Sequence, residues 1–323
     1  MVIPSHAVLL ITHSADHFTI DRVQAGVVRR GCDPIRLDTD RFPGELQLTM
    51  RVSRDAVSPA MRVDGVAVPV EAVRAVWMRR LFDPPRPDGL SDLEAAQCVR
   101  ESRAALDGFL ASLPAAYWLD PLPQIRRAEN KLVQLGCAVR AGLRVPRTVV
   151  GNDPDEVHRL WDACGGRVVT KLLTPVGRSM GAPAAAVYTH TLTADDLDEL
   201  DGLALSPMIF QERIDKLREL RVIYVAGRWF VGSIDAALDD WRARPAGPIS
   251  PWQPDALPDD VAAKLGAVMR ELGLEFGAAD VLRARDGSYA FLEVNPVGEW
   301  GMLERDLGLP IADAIAEELC KHR

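Results

Sequence analysis

Residues 6–12 (HAVLLIT) form a short unbroken apolar run, and apolar positions then recur at helical spacing over 16–30. A second run at 33–37 completes a strand, helix and strand, which predicts an α/β unit at the N-terminus. Between 46 and 76 short alternating segments with turn signals, such as Asp64-Gly65, predict a hairpin, and 74–78 reads as a further strand. Residues 83–88 (DPPRPD) are a proline-rich loop, and 90–113 is a long helical stretch. Pro121 and Pro123 interrupt regular structure and mark the clearest boundary in the first half. Beyond them, 124–141 reads as one helix ending at Gly142, and 145–150 as a strand. Residues 153–164 form a helix with Asp153 as N-cap and Pro154 at its first position, and Gly165-Gly166 turns the chain into a strand at 167–172. From Met208 the pattern is strand-rich, at 208–211, 219–225, 228–234, 276–282 and 289–294, with turns at Ala226-Gly227 and Asp286-Gly287.

This order predicts an α/β (α+β) fold in three segments: an N-terminal α/β domain over 1–123, a central α/β subdomain over 124–207 and a C-terminal antiparallel-sheet subdomain over 208–323. A chain of 323 residues has room for such a division. The formal charge of −8 gives a nucleic-acid partner no support from the whole-chain balance. Five cysteines, odd in number and without a CxxC pair, exclude a disulfide framework and a structural zinc site. No apolar run approaches the length of a membrane span. The expectation is a cytoplasmic protein with no nucleic-acid and no membrane partner.

Chemistry concentrates near the C-terminal end. Asp280 is the one acid in an apolar strand (277–282, GAADVL), while Glu293 and Asn295 lie two residues apart in 291–296 (FLEVNP). Period-two alternation puts Glu293 and Asn295 on one face of their strand. The turn at 283–288 makes the two strands antiparallel, which brings Asp280 beside them. Two acids and an amide oxygen make a hard-oxygen site suited to Mg²⁺ shared with substrate phosphates. The alternation of Leu292 and Val294 with the polar pair weighs against a mere surface hairpin.

Asp280 followed by Glu293, Val294, Asn295 and Pro296 resembles the metal-binding end of the ATP-grasp ligases. The resemblance implies an ATP-grasp fold with a pre-ATP-grasp domain at the N-terminus, and ATP and Mg²⁺ as cofactors. It also implies roles upstream. Lys131 and Lys171 correspond to the two phosphate-binding lysines. Gln211, Glu212 and Ile214 correspond to the hinge that binds adenine through backbone groups around Glu212 and Ile214. Glu219 falls where a carboxylate holds the ribose hydroxyls, and the loop at 174–183 where a flap covers the phosphates. A lone strand lysine or a Gln-Glu pair is a weak signal, but here all occur in family order. Arg221, two residues beyond Glu219, shares its strand face; it is either a charge stabiliser for the transferred phosphoryl group or a surface arginine.

Within that superfamily the chain is most similar to the graspetide synthetases, which install side-chain ester or amide crosslinks in ribosomal peptides. The similar segments are 9–13, 36–43, 76–80 (VWMRR) with Pro84, 210–221, 240–242 and 292–301. Glu299 departs from the glutamine expected there. The resemblance implies an ATP-dependent macrocyclase that joins Thr, Ser or Lys to Asp or Glu side chains through an acyl phosphate. Its partner is a precursor peptide with leader and core, and the enzyme is a homodimer. Leader docking falls on 187–199, where Asp195 and Asp196 offer charges, although Thr193 as N-cap makes the same acids a favourable helix start. Arg79 and Arg80 suit the core peptide's carboxylates. The alternatives are an ATP-grasp enzyme that adds amino acids to a protein or peptide, and a non-catalytic binding module.

Overall fold

The first apolar run becomes β1 (Ala7–Thr12), buried along its whole length as a strand covered on both faces must be. In the computed structural model, which describes residues 6–68, 70–113, 117–174, 189–235 and 252–322, α1 (Phe18–Arg29) and β2 (Asp33–Asp38) follow, β2 parallel to β1. The expected hairpin is a three-stranded antiparallel sheet of β3 (Gln47–Val52), β4 (Val57–Val63) and β5 (Val66–Val68). Next, β6 (Val73–Met78) returns beside β1. The long helix α2 (Asp92–Ala111) starts on a reciprocal capping box between Ser91 and Glu94. With β7 (Tyr117–Leu119) the parallel sheet reads β2-β1-β6-β7.

The helix expected over 124–141 is two helices. α3 (Leu122–Ala128) stops short of Asn130, and α4 (Lys131–Arg140) begins on it. Asn130 takes an extended backbone, and its side-chain oxygen accepts from the Leu132 and Val133 N–H groups at 3.0 and 3.3 Å. Apolar periodicity runs across this break and hides it. The cap makes Lys131 the first residue of a helix.

Four short strands then form an antiparallel sheet in the order β10-β9-β11-β8: β8 (Thr148–Gly151), β9 (Val168–Lys171), β10 (His190–Thr191) and β11 (Met208–Glu212). Between them lie α5 (Pro154–Ala163), capped by Asp153 as expected, and α6 (Ala194–Leu197), capped reciprocally by Thr193 and Asp196. Val157, Leu160, Val168 and Phe210 pack together on one side of this sheet.

A larger, five-stranded antiparallel sheet follows, ordered β14-β13-β12-β15-β16. Its strands are β12 (Lys216–Val225), β13 (Arg228–Asp235), β14 (Gln253–Pro254), β15 (Phe276–Ala284) and β16 (Tyr289–Asn295). The sequence reading missed α7 (Asp259–Leu272), whose buried Val261, Leu265, Val268, Met269 and Leu272 close one face of the sheet together with Cys137 and Ala138 of α4. Last come α8 (Gly301–Leu307) and α9 (Ile311–Cys320).

Contacts divide the chain into two units, residues 1–125 with 310–323 and residues 126–309. The C-terminal residues 310–323 thus belong to the first unit. α9 lies against α1 closely enough that a Cβ added at Gly26 would stand 2.7 Å from the Ala316 Cβ. No described helix is long and apolar enough to cross a membrane.

Candidate active site

Strand register builds the site in the second unit. Arg221 on β12 lies opposite Asp280 on β15, and Asp280 lies opposite Glu293 on β16. Directly opposed residues share a sheet face, so these three side chains form a row across adjacent strands. Asn295, opposite Ala278, sits one step further along the same face. The other face carries Leu220, Val222, Ala279, Val281, Phe291 and Val294, all buried under α4 and α7.

The expected alternation of Leu292 with Val294 fails. A bulge between Asp280 and Val281 leaves Leu292 with no residue opposite it. Val294 stays in the helix-covered core, while Leu292 packs with Ile214, Leu282, Ala284 and Ala290 on the polar side. The bulge therefore lays an apolar floor next to the carboxylates. A second irregularity, between Lys216 and Arg218, skips Leu217 and brings Lys216 onto the face of Glu219. Its ammonium meets the Glu219 carboxylate at 2.6 Å. Trp252, which the sequence reading did not single out, lines the same cleft with Glu219, Arg221, Asp280 and Leu292.

Each acid of the row has its own cation. Arg221 Nη1 stands 2.8 Å from Asp280 Oδ1, and its Nε and Nη2 donate to the Glu299 backbone carbonyl at 3.2 and 3.0 Å. Lys131 Nζ stands 2.9 Å from Glu293 Oε2 and donates to the Leu172 carbonyl at 3.3 Å. Opposed carboxylates repel unless a cation compensates, and here two side chains do so. Asn295 Oδ1 accepts the Val297 N–H at 3.0 Å, which fixes the amide. No group of three or more His, Cys, Asp or Glu among the described residues is placed to hold a metal, so the amide would be the third donor. Two carboxylates and an amide, all oxygen, fit a hard divalent cation such as Mg²⁺. Glu299 spends its charge locally: its carboxylate accepts the N–H groups of Trp300 and Gly301, at 3.1 and 2.8 Å, where α8 begins.

The remaining expected residues are placed as follows. Lys171 ends β9 opposite Ile209, on the face turned away from Phe210 and the packed helices. The Gln211 side chain is buried and donates to Thr148 Oγ1 at 2.9 Å, tying β11 to β8. Glu212 is bound to Arg147, whose carbonyl accepts its N–H at 2.8 Å and whose N–H its carboxylate accepts at 3.2 Å. Ile214 contributes its side chain to the apolar floor. In the first unit Arg79 is 2% exposed, with Nε 3.6 Å from Asp16 and 3.3 Å from the Thr19 hydroxyl. It joins the end of β6 to the start of α1. Arg80 is half-buried. Asp196 accepts from the Thr193 N–H and hydroxyl at 2.7 and 2.8 Å, which hold its carboxyl below the usual range, as a helix cap requires. Asp195 is exposed. The flap expected at 174–183, beyond Thr174, lies outside the described residues, as do 187–188 and 240–242.

Residues 7–126 match the family model of the MvdD pre-ATP grasp domain. The macrocyclase MdnB from Microcystis aeruginosa MRC is 44% identical, over 97% of this chain and 99% of that one, at a TM-score of 0.84. The macrocyclase MdnC from the same organism, solved with the precursor peptide MdnA, is 32% identical over 98% of this chain and 99% of that one, at 0.87. A RiPP-associated ATP-grasp ligase from Chryseobacterium gregarium, solved with ADP and a leader and core peptide, is 29% identical over 98% and 97%, at 0.89. No curated protein sequence matches. The fold is that of an ATP-grasp ligase, an ATP-dependent enzyme. Within that class the chain belongs to the graspetide synthetases, the macrocyclases of ribosomal peptides.

Proposed function

We propose that this chain crosslinks side chains of a ribosomally made precursor peptide, using ATP and Mg²⁺ at the row formed by Arg221, Asp280 and Glu293. The observation that carries the reading is that row, with Lys131 closing it and an apolar floor beside it. Asp280, Glu293 and Asn295 hold the ion, which when bound supplies positive charge beside the phosphates. Lys131 and Lys171 bind the phosphate oxygens, Glu219 takes the ribose hydroxyls, and backbone around Glu212 and Ile214 meets the adenine edge. Leu282, Leu292 and Ile214 give the adenine ring an apolar bed.

An Asp or Glu side chain of the peptide attacks the γ-phosphorus, and the bond to the β-phosphate oxygen breaks to release ADP. A Ser or Thr hydroxyl or a Lys amine of the same peptide then attacks the acyl carbon. It loses its proton, phosphate leaves, and an ω-ester or ω-amide closes the ring. Arg221, a permanent cation, stabilises the charge that develops on the transferred phosphoryl group. Arg80 is the candidate anchor for the core peptide's acids, and exposed Asp195 for a basic leader residue. The active form is a homodimer, which light scattering tests.

Incubating the full chain with ATP, Mg²⁺ and an acidic, hydroxyl-rich precursor peptide tests the chemistry by mass spectrometry. Each crosslink should remove the mass of one water from the peptide and release one ADP. A gain in peptide mass would instead mean amino-acid addition.

A further inference from the structure

β16 carries two of the three proposed metal ligands, yet it is the edge of its sheet with only β15 beside it. An edge strand leaves a row of backbone N–H and C=O groups without strand partners and is held from one side only. Here the open side is closed by other means. The Arg144 carbonyl accepts the Phe291 N–H at 2.9 Å. The Gln134 side chain, 2% exposed, takes Val294: Oε1 accepts the Val294 N–H at 2.9 Å, and Nε2 donates to the Val294 carbonyl at 2.7 Å. The amide makes the paired contacts that the peptide groups of a neighbouring strand would make. Its second N–H goes to the carbonyl of Ala128, the last residue of α3.

Val294 lies between Glu293 and Asn295, and Gln134 lies one turn beyond Lys131 on α4. One helix end therefore carries both the lysine on Glu293 and the clamp on the strand that bears Glu293. We infer that Gln134 is a positioning residue that sets the placement of Glu293 and Asn295 for the divalent ion. It does so by fixing Val294 from the outer edge and gearing β16 to the α3–α4 junction. Side-chain length is part of the device, since asparagine is one methylene short of the reach. Glutamate would keep the acceptor for the Val294 N–H but bring a charge to two carbonyls that need donors, and methionine would fill the space with neither. The inference rests on the metal reading proposed above.

Mn²⁺ serves as the probe, its binding to the full chain followed by electron paramagnetic resonance in the presence of a non-hydrolysable ATP analogue. Gln134→Met and Gln134→Glu should each weaken Mn²⁺ about tenfold or more. Nucleotide binding measured without metal should stay within about twofold, the margin expected of a residue that acts only through the metal ligands. Circular dichroism identifies which variant is folded, and the reading is taken from that one. Mn²⁺ affinity unchanged in a folded variant overturns the inference, and so does a loss of metal-free nucleotide binding in parallel, since that marks general disorder of the unit. Glu293→Gln separates the two ideas. If it binds Mn²⁺ as the wild type does, the metal assignment itself falls. If it loses Mn²⁺ while the Gln134 variants keep it, only the positioning role falls.

Discussion

The larger sheet of the second unit has one face covered by α4 and α7 and one face bearing charge, and the same strands build both. On the covered face Leu220, Val222, Val281 and Phe291 are almost fully buried. On the other, Glu219, Arg221, Asp280 and Glu293 are drawn from the positions between them, and both strand irregularities at Leu217 and Leu292 bring residues to that side. The difference shows a division of labour within single strands. Dispersion and the hydrophobic effect on one face fix the backbone. That lets the other face hold groups whose mutual electrostatics would not assemble them unaided.

Four experiments sharpen or break this division, the largest effect first. Phe291→Ala on the covered face should cost about 3–5 kcal/mol of stability, read as a lower midpoint in denaturant unfolding. The KM for ATP of the protein that remains folded should stay near the wild-type value. Glu293→Gln combined with Asn295→Ala should do the reverse, lowering the crosslinking rate about 100-fold or more with a small change in midpoint. Undiminished turnover would remove the metal assignment. Gly298→Ala probes the boundary between the faces. Its Cβ would fall 2.4 Å from the Ala278 Cβ, 3.1 Å from Arg221 Nη2 and 3.1 Å from the Asn295 carbonyl. The expected loss is about 1–3 kcal/mol in stability, with a raised KM for ATP from the displaced Arg221.

The smallest effect is a pH dependence at the rim of the covered face. Asp255 Oδ1 receives Arg283 Nη2 at 2.7 Å, and Arg218 stands 3.6 Å from Oδ2. Burial pushes the Asp255 carboxyl upward, but hydrogen bonds from Ser233, the Ala256 N–H and Arg283 outweigh it and hold the group below its ordinary value. A depressed folded-state pKa stabilises the protein above the unfolded value of about 3.9, and that contribution is lost as pH falls through the folded value. Stability of the wild type should therefore fall more steeply than that of Asp255→Asn on the acid side of pH ~4, in urea titrations at stepped pH. Parallel acid limbs would show that Asp255 contributes nothing there.

What the sequence made legible follows from which forces act locally. The juxtaposition of Asp280, Glu293 and Asn295 was readable because a short turn at Asp286-Gly287 joins their strands and fixes the pairing. Lys131 was readable by its place in family order, but its position at a helix start was not, since only the Asn130 cap breaks an otherwise continuous periodicity. The apolar floor was hidden because a bulge reverses the side of Leu292, and a bulge leaves no mark in a hydrophobicity pattern. Gln134 was hidden for another reason: its partner is a backbone 160 positions away, a contact that depends on tertiary structure alone. The burial of Arg79 beside Asp16 was not legible, because the pattern that marks a basic pair does not tell a buried ion pair from an open one. The packing of α9 on α1, from opposite ends of the chain, was hidden because it too depends on tertiary structure.

The pairing of Lys131 with Glu293 and of Arg221 with Asp280 has a thermodynamic corollary. The resting cluster is an internal salt, so it resembles an ion exchanger already loaded with its own counterions. A metal ion arriving alone takes the two carboxylates away from the ammonium and guanidinium groups that now pair with them. A triphosphate arriving alone draws those cations off and strands two carboxylates. Only the joint arrival of cation and polyanion trades two old pairs for two new ones, so metal and nucleotide should load with positive cooperativity, each tightening the other's binding by the same factor.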